Sequence, residues 1–134
     1  MPHLTIEYSD NLVPPLDVQR LVDRLHGAAL ETGLFEIGAL RTRAVARTHY
    51  RIADGHPDNA FVHVVLRLRQ GRDAARVRRA GETIFAAIGD ALAPIHDAGP
   101  LGISFEIQEI DPGLSFKRNN LHEIVRRRAA ESAP

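Results

Sequence analysis

The chain has no cysteine, a single lysine, no net charge and no apolar run long enough to cross a bilayer. Without cysteine there are no disulfides, no thiolate nucleophile and no cysteine metal site, and the chain suits any redox compartment. Seventeen basic side chains balance seventeen acidic ones, so no whole-molecule field draws it to nucleic acid or an acidic membrane. The start shows no basic segment followed by an apolar stretch, which makes a soluble cytoplasmic protein the expectation. No P-loop, G-x-G-x-x-G or G-x-S-x-G occurs. The seven histidines fall in no compact ligand spacing, so no metal is expected.

What is present is an ordinary globular composition, 44% hydrophobic and 25% charged over 134 residues, enough for one domain with a real core. The basic side is almost all arginine, Lys117 being the exception. Arginine suits bidentate carboxylate recognition, but a GC-rich genome gives the same bias, and most of these arginines need no functional reading.

Periodicity predicts one unit written twice. Leu4, Ile6 and Tyr8 alternate with His3, Thr5 and Glu7 in a half-buried strand over 3–8. A loop follows over 11–15, with its prolines leading into the first helical turn. Leu21, Val22, Leu25, Ala28 and Ala29 then keep helical spacing up to Gly33, a C-terminal stop. A second strand is expected over 39–48, and turn formers fill 54–59. The pattern recurs: a strand over 60–69, Asp73 as N-cap, and a helix stripe of Val77, Gly81, Ile84, Phe85, Ile88 and Leu92 ended by Pro94. A last strand is expected over 102–109. Right-handed crossovers make the strands within each unit parallel. The predicted fold class is α/β (α+β in some schemes): a duplicated β-α-β unit forming a four-stranded mixed sheet with two helices on one face. The pseudo-repeats run about 2–50 and 59–110, and an extension covers about 111–134, where Arg126, Arg127 and Arg128 read as the solvated end of a short helix. The sheet's other face would carry Val45, Phe61 and Val65 beside Arg41 and Arg43. That mixture calls for a partner subunit.

Two features point to chemistry. Met1-Pro2 runs straight into a strand, and removal of Met1 would leave a secondary amine held rigidly at the chain end. A neutral amine is a base that needs no cofactor, provided its pKa is lowered by burial or nearby cations. Met-Pro is equally a common start on a fraying terminus, and the residues alone leave both readings open. Arg41 in the second strand and Arg72 at an exposed turn before the second helix could hold a substrate with two or more carboxylates. Most of seventeen basic side chains are simply solvated.

The stretches MPHLTIEYSDN, TGLFEIGALRTR (32–43), ADGHPDNAFVHV (53–64), GR (71–72), AGETIF (80–85) and SFEIQEIDPGLSFKRNNLH (104–122) run in order along nearly the whole chain. In them the sequence resembles the 5-carboxymethyl-2-hydroxymuconate Δ-isomerases of the tautomerase superfamily. The resemblance implies a single tautomerase domain over 1–134 and a homotrimer with sites near subunit boundaries. It implies isomerisation of a dienol tricarboxylate to its conjugated keto form, in homoprotocatechuate (4-hydroxyphenylacetate) degradation. By position, Pro2 is then the catalytic base and acid, Arg41 and Arg72 bind substrate carboxylates, and neither metal nor nucleotide takes part. Two alternatives stand beside this reading. One is a tautomerase of a smaller 2-hydroxydienoate or phenylpyruvate. The other is a non-enzymatic trimeric interaction protein.

Overall fold

A computed structural model describes residues 1–133. Strand β1 (His3–Ser9) leads through a 3-10 turn to helix α1 (Val18–Glu31) and strand β2 (Arg41–Arg47). Strand β3 (Ala60–Arg69), helix α2 (Ala74–Ala98) and strand β4 (Leu101–Ile110) repeat the plan, and helix α3 (Leu121–Ser132) closes the chain. The sheet order is β2-β1-β3-β4. Each unit's two strands are parallel, and β1 meets β3 antiparallel. This is the duplicated four-stranded mixed sheet that the alternation predicts.

The two-residue period decides which side chains enter the core. In register across β1, β3 and β4, Leu4 and Ile6 lie beside Leu66 and Val64, which in turn lie beside Ile107 and Phe105. Leu4, Ile6, Val64 and Leu66 have no exposed surface. Helix α1 lays Leu21, Leu25, Ala28 and Ala29 over this face, and α2 lays down Val77, Ala80, Ile84, Ile88 and Leu92. Burying each valine, leucine or isoleucine among them stabilises by roughly 1.5–3 kcal/mol. At Gly81 a Cβ would sit 2.9 Å from Ile107 Cδ1, so the missing side chain lets α2 settle close on β4.

Three expectations need correction. Pro94 does not end α2, which runs on to Ala98. Proline removes one hydrogen bond and crowds the preceding turn, but fully buried Leu92 and half-buried Ile95 pin that turn to the core. Phe85 leaves the buried stripe: it is 48% exposed, one position round from Ile84, which takes the core site. The prolines at 14 and 15 stay outside α1, which starts at Val18 because the Asp17 carboxylate accepts the backbone N–H of Arg20. Asp73 caps α2 in the same way, through Arg76.

The sheet's second face carries cross-strand polar pairs. Arg47 binds Glu7 at 2.7 Å, and His63 lies 3.1 Å from Glu106. Arg43 donates to His3 Nδ1 at 3.0 Å; a guanidinium only donates, so that nitrogen accepts and is unprotonated. Burial and then the Arg43 charge hold the His3 imidazole below its ordinary pKa. Val45, Phe61 and Val65 sit half-buried among these pairs, and Leu114 and Phe116 beyond β4 are 76% and 89% exposed. Among the described residues no helix is long and apolar enough to cross a membrane.

Candidate active site

Because β1 and β3 are antiparallel, one end of the sheet gathers the start of β1 and β2 with the finish of β3 and β4. A cavity of about 260 Å³ opens there, lined by Met1, Pro2, Arg69, Arg72, Pro112 and Lys117 among others. A larger hollow of about 470 Å³ lies at the opposite end, between Asn11, Pro57, Pro94 and Pro100. Its walls are mostly apolar and, among the described residues, Asp58 is its only ionisable lining residue, so it offers no cation to hold an anionic substrate.

Pro2 is buried immediately before β1, and its carbonyl accepts the backbone N–H of Arg41 at 3.2 Å. The sheet ladder therefore fixes Arg41 beside Pro2. The Arg41 guanidinium bonds the Ala39 carbonyl and, at 3.3 Å, Asn119 Oδ1. Asn119 also donates to the Gly38 carbonyl at 3.1 Å, so one amide holds both the arginine and the loop before it.

Arg72 departs from expectation. It is half-buried rather than exposed: the guanidinium lies 5.3 Å over the Phe35 ring and donates to the Arg69 carbonyl at 3.2 Å. Phe35 is itself buried, so this cation–π contact stiffens the arginine at the cavity wall.

The terminal amine belongs to Met1, one residue before the Pro2 nitrogen, which is an amide while Met1 remains. Burial first, and then the charges of Lys117, Arg69, Arg41 and Arg72, hold this amine below the ordinary range of a chain terminus. Partial burial and four cations favour an uncharged amine here and an anion beside it.

Sequence reasoning singles out Pro2, Arg41 and Arg72, and all three lie about this one end of the sheet, Pro2 and Arg72 in the cavity wall itself. It misses Arg69, Lys117 and Asn119. Lys117 carries a visible signal as the chain's only lysine, inside the SFKRNNLH block. Arg69 and Asn119 show none that separates them from their neighbours.

The 5-carboxymethyl-2-hydroxymuconate isomerase family model matches residues 2–125. The chain belongs to that family. An Escherichia coli 5-carboxymethyl-2-hydroxymuconate Delta-isomerase is 34% identical over 126 residues, 94% of this chain and 100% of the relative. A crystal structure of a 5-carboxymethyl-2-hydroxymuconate isomerase from Deinococcus radiodurans R1 superposes with a TM-score of 0.86 at 35% identity, covering 93% of this chain and 94% of that one. A second solved 5-carboxymethyl-2-hydroxymuconate delta-isomerase gives the same score and identity, covering 93% of each chain. The protein is thus an enzyme of the isomerase class with the tautomerase fold.

Proposed function

We propose that this family member converts 5-carboxymethyl-2-hydroxymuconate to its conjugated keto isomer, within homoprotocatechuate degradation, using the Pro2 nitrogen freed by loss of Met1. The neutral amine takes the 2-hydroxyl proton. As that O–H bond breaks, C2–O becomes a carbonyl, the C2=C3 pair moves to C3=C4, and the C4=C5 pair takes a proton from the Pro2 ammonium at C5. One proton moves, no atom is gained or lost, and the amine is regenerated. Arg41 and Arg72 hold carboxylates and offset charge on the dienolate intermediate.

The observation that carries this reading is the set of four cations around the chain terminus, where the half-buried Met1 amine precedes buried Pro2. That setting favours a neutral base and an anionic substrate together. Self-association as a homotrimer through the second sheet face is part of the same proposal. Half-buried Val45, Phe61 and Val65 there, with Phe116 almost wholly exposed nearby, support it. Sedimentation should give a mass near three chains.

The test of the chemistry follows isomerisation by ultraviolet absorbance in two preparations of equal fold and mass-verified terminus. One begins at Pro2 and the other carries a short extension before it. Activity in the first and loss of at least about a thousandfold in the second is expected, since the amide has no basicity. Equal activity in both would remove Pro2 as the base. Inactivity in both would remove the substrate assignment.

A further inference from the structure

A muconate with a carboxymethyl group carries three carboxylates, whereas the resemblance supplies only two arginines to hold them. The cavity holds more positive charge than that pair. Arg41 is engaged by two oxygens and Arg72 by one carbonyl and the Phe35 ring. Arg69 and Lys117 line the cavity beside Arg72, and none of the four cations is paired with a carboxylate among the described residues. Arg69 Nε is buried with no hydrogen-bond partner among the described residues. A buried donor left unmade costs free energy unless something fills it. Lys117 sits exposed on the segment after β4, at the cavity wall.

We propose that Lys117 and Arg69 form a third carboxylate subsite, distinct from Arg41 and Arg72, which takes the carboxymethyl group of the substrate. This rests on the reaction proposed above. In that reaction C5 must come within proton-transfer reach of the Pro2 nitrogen, and the carboxymethyl carboxylate is tethered to C5 by one methylene. The subsite for it must therefore lie against the amine. Lys117 and Arg69 line the cavity together with Pro2 itself, whereas Arg41 is not among its lining residues. The Met1 amine, one residue before the Pro2 nitrogen, feels Lys117 and then Arg69 more strongly than Arg41 and Arg72.

The test compares kcat/KM for 5-carboxymethyl-2-hydroxymuconate and for 2-hydroxymuconate, which lacks the carboxymethyl arm, in the wild type, Lys117→Met, Lys117→Arg and Arg69→Lys. Lys117→Met should lose on the order of tenfold to a hundredfold more on the tricarboxylate than on the dicarboxylate, mainly in KM. Lys117→Arg should recover most of that difference. Arg69→Lys keeps charge but loses the fork, so it should lose selectivity in the same direction and by less. Equal losses on the two substrates would overturn the subsite. Calorimetric binding of tricarballylate against glutarate separates this from the reaction itself. A wild-type preference for the tricarboxylate that vanishes in Lys117→Met supports the subsite even where neither muconate turns over. Absence of any preference overturns it even where the isomerase reaction is present.

Discussion

The two β-α-β units and the segment after them are held by different forces. In the units, Leu4, Ile6, Val62, Val64, Leu66, Ile84, Ile88 and Leu92 lose all their exposed surface. In α3 no residue is buried. What fastens this last segment is a few polar contacts to the loop before β2 and its first residue: Asn119 to Gly38 and Arg41, and His122 to Glu36 at 2.9 Å. Gly38 adds a close approach, since a Cβ there would lie 2.8 Å from the His122 Cα. The units supply stability and the amine's position, while the fastened segment supplies Lys117 and steadies Arg41. Stability and site chemistry should therefore respond to different substitutions.

The largest effect on that contrast should come from Ile84→Ala, which empties a fully buried site. It should cost about 2–5 kcal/mol in urea denaturation, with kcat/KM of the folded protein within about twofold of wild type. Gly38→Ala should come next, at about 1–3 kcal/mol. The new methyl meets the His122 backbone, so α3 must move; faster proteolysis within 115–133 and lower kcat/KM should accompany it. Asn119→Ala should cost about 1 kcal/mol of stability yet lower kcat/KM about tenfold, because it releases Arg41. If Asn119→Ala changed stability and activity no differently from Ile84→Ala, the division between the regions would fail.

The smallest effect is a displacement of the pH profile. A depressed amine pKa keeps the base neutral, and activity present, to lower pH than an ordinary terminus allows; activity falls as pH drops through that pKa. Lys117 lines the cavity beside Pro2 and lowers the pKa of the Met1 amine one residue before it. With the Pro2 amine as the proposed base, Lys117→Met should move the acid limb of kcat/KM upward. An unmoved or lowered limb would show that Lys117 does not act on the amine.

The same contrast explains what could be read in advance. Strand β3 falls on 60–69 as its alternation predicts, because burial of every second residue writes the pattern into the sequence. Pro94 misleads because its cost is local, whereas the packing of Leu92 and Ile95 that overrides it is tertiary. Arg72 was expected at an exposed turn because its partner Phe35 belongs to the other unit, and no period links the two positions. Arg41 and Asn119 meet across 78 residues through one hydrogen bond, which leaves no periodic trace. Residue chemistry marks Pro2, Arg41 and Arg72 as candidates, and the resemblance, rather than spacing, assigns their roles. Their common location at one sheet end follows from strand directions that the duplicated pattern does imply.

The backbone bond from Arg41 to the Pro2 carbonyl has a wider meaning. Neighbouring strands stand about 4.8 Å apart whatever their side chains, so the sheet acts as a gauge between these two residues. Drift in the surrounding residues can reshape the cavity without altering that spacing. Only a slip of β2 against β1 could change it, and a slip of one residue would turn Thr42 and Ala44 away from the helices and Arg43 into them. The interval between Pro2 and Arg41 is thus kept by the folding of the chain itself, and a sequence that folds at all inherits it.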